Sequence, residues 1–347
     1  MKVEVKAKNG EFRFECNEGE HVLYAGLRQG VDLPYECATG TCGTCKARAV
    51  EESPSYNIDE GWAEAPGRSY LKSSRGEFLM CQAHVRDSCR IVVPSKLNGS
   101  ALQPCPDYRD GTIRDVQQLN DEVIEFDVDL DAPMSFRAGQ FACLQTPEVT
   151  GYRAYSMVNF EREAVGALRF VVKRKAGGAF CTALFDRKLD GAPVRVFGPL
   201  GKATFDPDED RNLLCVAGGS GIAGMMAILR HGALADYFAA HDVHVFFGIR
   251  ANRDAFYPRR TRASRGRQRR TPRCLDRPVR RGCRRCPAQP APAAEFRHRV
   301  RSRDHGAADE GPLCRSRRLR GRPAADGRRR AASAHHRRTA AGIGYTL

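Results

Sequence analysis

Hydrophobic and polar residues alternate with a period of two at the start of the chain. Val3-Glu-Val-Lys-Ala7 and Phe12-Arg-Phe-Glu-Cys16 each keep their apolar positions on one face, and Asn9-Gly10 between them is a hairpin signal, so two paired strands are predicted. Val22, Leu23, Ala25 and Leu27 then suit a short helix over 21–29 that ends at Gly30. Strands over 46–50 and 90–93 complete a small β-rich unit spanning 1–98. Prolines and Asn98-Gly99-Ser100 mark a break, and 99–106 reads as a linker. From 107 to 205 the rhythm is again that of strands, with candidates at 123–130, 139–144 and 168–173 between Gly and Pro turns. Six or so short strands at this spacing predict an antiparallel barrel.

The rhythm changes after 206. Leu213-Leu-Cys-Val-Ala217 is a buried-type strand, Gly218-Gly-Ser-Gly-Ile-Ala-Gly224 a glycine loop, and a helical stretch runs on to about His231. Val243-His-Val-Phe-Phe247 is a second buried strand, so 206–257 reads as a β–α–β unit, incomplete because the alternation stops at Pro258. The last 90 residues contain only nine Ile, Leu, Val, Phe, Met, Tyr or Trp, too few to cover a parallel sheet.

The formal net charge of +16 points by itself to a nucleic-acid partner. Its distribution removes that inference. Residues 1–257 carry 30 Lys and Arg against 35 Asp and Glu, a net of −5, whereas 258–347 carry 27 Arg, no Lys and 6 acids, a net of +21. The first part is an ordinary, slightly acidic globular protein. The Arg-rich part lacks interleaved aromatics, which disfavours nucleic-acid binding. The start, Met1-Lys-Val-Glu-Val-Lys6, has no apolar signal segment, and the longest apolar run, 213–229, is broken by glycines and falls short of the roughly 20 residues of a membrane span. The expectation is a cytoplasmic protein without a membrane partner, its 14 cysteines being cluster ligands and ordinary buried thiols.

The candidate chemistry begins with Cys37, Cys42, Cys45 and Cys81. Their C-x4-C-x2-C spacing with a distant fourth cysteine is the ligand pattern of a plant-type [2Fe–2S] cluster. Gly40 and Gly43 stand where the backbone must fold closely around inorganic sulfur, and Thr41 and Thr44 leave amide groups free to hydrogen-bond it. A zinc site or four unrelated thiols are the alternatives, but zinc usually pairs one CxxC with a second close pair, and Cys81 stands alone. With the strands and helix around it, this loop makes a β-grasp ferredoxin the natural fold of 1–98. The second motif is Arg153-Ala-Tyr-Ser156. A planar Arg can clamp a pyrophosphate, an aromatic ring can stack on a flavin, and a hydroxyl can reach the ring nitrogen that accepts hydride. A strand with an exposed Arg and a packed Tyr is the plain alternative. The glycine loop at 218–224 is not a G-x-G-x-x-G; its place between strand and helix is what favours a phosphate site over a structural turn. His21, His84, His231, His241 and His244 show no ligand spacing, Trp62 reads as a local packing anchor, and the CxxC at Cys283 and Cys286 lacks a partner pair.

In this order, Cys37–Cys45, Arg153–Ser156, Val171-Val-Lys173, Gly198-Pro-Leu-Gly201 and Gly218–Gly224, the motifs resemble the ferredoxin-NADP reductase-like electron-transfer components of bacterial multicomponent oxygenases, most of all the reductases of toluene, alkene and phenol monooxygenases. The resemblance covers about residues 1–257. It implies a multidomain fold: a ferredoxin domain, an FAD barrel and an NAD(P)-binding domain. It implies that Arg153, Ala154, Tyr155 and Ser156 contact FAD, with Tyr155 and Ser156 at the reacting ring, Val171, Val172 and Lys173 near the flavin and its ribose, and Gly177 and Gly178 near the pyrophosphate. A departure follows, because such chains often carry Ser where Cys181 stands; Thr182 is its neighbour. Gly218, Gly219, Ser220, Gly221 and Ile222 resemble the nicotinamide dinucleotide loop, and Arg250 in Gly248-Ile-Arg250 the element that meets the cofactor's ribose. The implied function is an oxidoreductase that passes electrons from NADH, rather than NADPH, through FAD and the [2Fe–2S] cluster to an oxygenase (hydroxylase) component or its ferredoxin. A non-enzymatic [2Fe–2S] carrier with an idle nucleotide domain is the rival.

Residues 258–347 read as a disordered basic tail, a nucleic-acid-binding extension or the product of a shifted reading frame. Codon choices exist for which a one-base shift turns Pro258–Arg265 into Leu-Asp-Glu-Leu-Ala-Arg-Leu-Ala, a good helix. In the same frame His298–Arg301 becomes Thr-Gly-Phe-Val, and Arg322–Arg330 becomes Gly-Pro-Pro-Pro-Met-Val-Asp-Ala-Ala. The last two resemble elements that the same reductases carry in this order, so the shifted frame is the reading adopted.

Overall fold

The computed structural model describes residues 1–50, 57–59, 64–98, 104–250, 254 and 256–257. In the N-terminal unit β1 (Lys2–Ala7) and β2 (Gly10–Glu15) form the hairpin that their alternation predicts, with Val3 opposite Phe14 and Val5 opposite Phe12. Helix α1 (Val22–Arg28) follows, every residue from Val22 to Leu27 buried, and the chain leaves it at Gly30 with φ +79°. Strands β3 (Lys46–Ala49), β4 (Glu77–Leu79) and β5 (Cys89–Val92) complete a sheet of order β2-β1-β5-β3-β4, in which β1 and β5 run parallel. A hairpin and a helix laid on a mixed sheet make the β-grasp arrangement. The three-residue β4 escapes a reading by periodicity, because alternation needs about four residues to register. Its position matters nonetheless: it delivers Cys81 to the cysteine loop.

The second unit is a six-stranded barrel built from β6 (Asp107–Asn120), β7 (Val123–Met134), β8 (Phe141–Thr146), β9 (Val149–Ser156), β10 (Val165–Lys173) and β11 (Pro193–Leu200), in the order β10-β7-β6-β11-β8-β9. A bridge between Met157 and Phe170 and the bond from Val158 N to Arg169 O (2.8 Å) join the two ends. Phe126, Phe170 and Phe180 (from α2, Ala179–Phe185) are fully buried within it. Each contributes on the order of 2–3 kcal/mol through its removal from water. A barrel filled by its own side chains leaves no room inside for a large planar cofactor, so any such group has to sit on the outside.

The third unit pairs β12 (Leu213–Gly218) with β13 (Val243–Gly248) in parallel, joined through α3 (Ile222–Leu234). Cys215 and Val243 face the core, whereas Leu214 and Val216 are 59% and 58% exposed and Phe246, opposite Val216 in the register, is 38% exposed. Parallel sheets are normally covered on both faces; here the face of Leu214, Val216 and Phe246 is uncovered among the described residues. The three units do not have three separate cores among the described residues. The apolar cluster of the N-terminal sheet continues into Phe141, Cys143, Tyr152, Phe197 and Leu200 of the barrel, and the barrel's interior is continuous with α3.

Candidate functional site

The loop between α1 and β3 brings Cys37, Cys42 and Cys45 together, and the bond from Met80 N to Cys45 O (2.9 Å) brings Cys81 beside them. The four thiols form two pairs. Cys45 Sγ and Cys81 Sγ are 3.2 Å apart, while Cys37 and Cys42 are linked by amide-to-sulfur contacts of 3.4 and 3.5 Å. Among the described residues no three Cys, His, Asp or Glu side chains converge as for a single metal ion. Four cysteine sulfurs gathered as two neighbouring pairs, one from the loop and one shared with Cys81, are a donor set that fits the [2Fe–2S] group. Within each pair the shared hydrogen bond drives the thiols apart: Cys37 is pulled down to about 5 and Cys42 pushed up to about 12, and Cys45 is lowered while Cys81 is raised.

The backbone around these sulfurs is shaped for close approach. Gly40 N donates to Cys81 Sγ (3.1 Å) and Thr41 N to Cys37 Sγ (3.3 Å). Gly40 and Gly43 take φ of +83° and +73°, and a Cβ on Gly43 would lie 2.6 Å from that of Tyr70. Tyr70 closes a 3-10 turn, Pro66–Tyr70, that lies against the loop, with Gly67 N donating to Gly40 O (2.8 Å). No local motif announces that turn, since its partners lie more than twenty residues away.

The flavin candidates lie at the C-terminal ends of two barrel strands. Arg153, Ala154, Tyr155 and Ser156 are half-buried at the end of β9, and Val171, Val172 and Lys173 close β10. Tyr155 packs at 5.4 Å from Phe180, and burial pushes its hydroxyl far above the ordinary range, so it stays a neutral hydrogen-bonding group. The Arg153 guanidinium donates to Tyr152 O (3.0 Å) and has no carboxylate partner among the described residues, which leaves its charge available to a phosphate. The glycine loop arrives at the same place. A Cβ on Gly224 would lie 3.6 Å from Ser156 Oγ, and one on Gly219 would lie 3.9 Å from Lys173 Cδ. Gly219–Gly221 make a 3-10 turn that leads into α3 at Ile222, and neither Gly177 nor Gly221 has any atom within 4 Å of where its Cβ would stand. An unpaired guanidinium, exposed glycines and a half-buried aromatic beside a helix start fit a flavin dinucleotide and a second dinucleotide.

Cys181 and Arg250 both have partners within the protein. Cys181 Sγ accepts from Lys175 N (3.2 Å) and sits 3.2 Å from Gly178 O, so it closes the 175–181 turn. Arg250 pairs with Glu122, which also holds Lys173 at 3.2 Å. That carboxylate, at the β6–β7 turn, has no sequence signature. The histidines stay out of the chemistry: His21 lies against His84 with ring centroids 4.4 Å apart, His231 stacks on Phe160, and His241 binds Asp210 at 2.7 Å. Trp62, Cys283 and Cys286 lie outside the described residues.

Residues 5–86 match the 2Fe-2S iron-sulfur cluster binding domain family, and 110–205 the oxidoreductase FAD-binding domain family. Over 244 residues the chain is 37% identical to the ferredoxin--NAD(+) reductase component of the alkene monooxygenase system of Xanthobacter autotrophicus, covering 70% of this chain and 72% of that protein. The chain belongs to the ferredoxin–NAD(P) reductase components of oxygenase systems. This reductase is also 32% identical over 243 residues to the ferredoxin--NAD(P)(+) reductase CarAd of Metapseudomonas resinovorans (69% and 71% covered). Among solved structures, the ferredoxin reductase in carbazole 1,9a-dioxygenase superposes with a TM-score of 0.65 at 29% identity over 74% of each chain. The reductase thus has the two cofactor-binding domains that its motifs predicted, and no helix among its described residues is long and apolar enough to cross a membrane.

Proposed function

We propose that this reductase takes electrons from NADH in preference to NADPH, that Arg153–Ser156 with Val171–Lys173 seat FAD, and that Cys37, Cys42, Cys45 and Cys81 hold the cluster. The electrons go on to an oxygenase component or its ferredoxin. When bound, the flavin converts a two-electron hydride input into single electrons that the cluster can accept. The chain's own residues supply position and charge. Arg153 binds the pyrophosphate, Tyr155 lays its ring along the flavin, and Ser156 offers a hydroxyl to the reacting edge. The Gly218–Ile222 loop admits the second dinucleotide from the side of α3, where Lys173 and Gly219 meet. The carrying observation is the approach of the glycine loop to the ends of β9 and β10, at Ser156 and Lys173. A plain electron carrier has no use for it. The six described cysteines outside the ligand set, Cys16, Cys89, Cys105, Cys143, Cys181 and Cys215, are carried as thiols, which suits a reducing compartment, the cytoplasm.

The test is Arg153→Ala. A charge-assisted hydrogen bond is worth about 1.5–3 kcal/mol, tenfold or more in affinity, so the variant should release FAD on gel filtration while keeping its cluster absorbance. Stoichiometric FAD and unchanged flavin reduction in Arg153→Ala would show that the motif is a strand feature only.

A further inference from the structure

The N-terminal sheet and the barrel meet through an aromatic cluster with Tyr24 at its centre. This side chain of α1 is fully buried, and its hydroxyl donates to Ala38 O at 3.0 Å. Ala38 follows the ligand Cys37 directly and is held in the left-handed region at φ +56°. The Tyr24 ring stacks on Phe197 of β11 (4.3 Å, 14°) and meets Tyr152 of β9 edge-on (5.1 Å, 83°), both favourable aromatic geometries. Tyr152 precedes Arg153 and accepts its guanidinium hydrogen bond. One side chain therefore touches the cluster loop at its polar end and the strand that carries the flavin motif at its ring. Two other contacts clamp the same interface at its rim: Lys202 Nζ lies 2.8 Å from Asp32, and Gly201 N donates to Tyr35 Oη at 2.9 Å.

We propose that Tyr24 is the positioning residue for electron transfer within the chain, its hydroxyl fixing the cluster loop and its ring setting that loop against β9. The proposal rests on the cysteine loop and β9 being the two cofactor seats. In the step it serves, one electron leaves reduced FAD and one ferric ion of the cluster becomes ferrous. No bond forms between the two groups, and any proton the flavin gives up goes to solvent. Electron transfer through protein weakens steeply with distance, so a joint that fixes both partners sets the rate.

The two ends of Tyr24 can be tested separately in the holoprotein. Tyr24→Phe keeps the stack and loses the bond to Ala38, whereas Phe197→Leu keeps that bond and loses the stack. FAD and iron contents are measured first; if the unaltered protein lacked either group, the cofactor assignment would fail rather than this inference. With both groups bound, flash reduction of the flavin followed by cluster absorbance reads the transfer directly. Tyr24→Phe should alter the EPR line shape of the dithionite-reduced cluster and slow transfer. Phe197→Leu should leave that line shape unchanged and slow transfer. Should Tyr24→Phe not fold, Tyr152→Leu joins Phe197→Leu as the second test of the ring contact. Native transfer rates in these variants, or a lowered melting temperature as their only change, would make Tyr24 an ordinary core residue and overturn the proposal.

Discussion

At the scale of single residues, the pairing of sulfurs carries the most information. Cys42 shares its hydrogen-bonded pair with Cys37, and Cys45 shares the other with Cys81. In the proposed ligand set, loss of one thiolate would leave an iron short of a ligand and would not touch the strands proposed to seat FAD. Cys42→Ser should lose most of the cluster absorbance and EPR signal and keep bound flavin. A full cluster signal in that variant would remove Cys42 from the ligand set. The four cysteines were legible because three of them lie within nine residues of sequence, and their chemistry imposes the spacing. The contacts that support them were not. Gly40 reaches Cys81 across 41 residues, and Tyr24 reaches Ala38 across 14, through packing that no local pattern encodes. Glu122 likewise became a partner of Lys173 and Arg250 only once the barrel placed them together.

Elements were legible in proportion to their length and alternation. β1, β2, β12 and β13 fall where period-two or continuous apolar runs put them, and α1 stops at its glycine. β4 and the 3-10 turn Pro66–Tyr70 carry too few residues for a period, although both shape the cluster loop. That turn makes a steric prediction. Gly67 has no unusual backbone angle, but a Cβ on it would meet Gly40 O at 2.8 Å, Gly43 N at 3.1 Å and the Thr41 carbonyl carbon at 3.2 Å, all of them backbone. Gly67→Ala must push the turn off the loop, at a cost of about 1–3 kcal/mol, the usual range for overpacking. The expected result is a lower melting temperature and faster loss of cluster absorbance in the presence of a chelator, with FAD binding unchanged. Wild-type cluster lifetime in Gly67→Ala would mean that the turn gives way without disturbing the loop.

For the whole molecule, the exposed face of Leu214, Val216 and Phe246 bears on the reading of 258–347. A shifted frame would encode a helix directly after Tyr257, of the kind a doubly covered parallel sheet requires. Expression of both frames should give a protein that binds less of a hydrophobic dye and oxidises NADH faster once one base is removed at the Tyr257–Pro258 junction. Equal dye binding and equal turnover would support the frame as written. The wider account, that one chain converts paired electrons to single ones through two cofactor seats, is tested most directly by anaerobic titration with NADH, following flavin bleaching by absorbance and the cluster by EPR. The account predicts that both signals change together and that NADH alone produces the reduced-cluster EPR signal. Bleached flavin beside a cluster that stays oxidised under NADH, yet is readily reduced by dithionite, would contradict it.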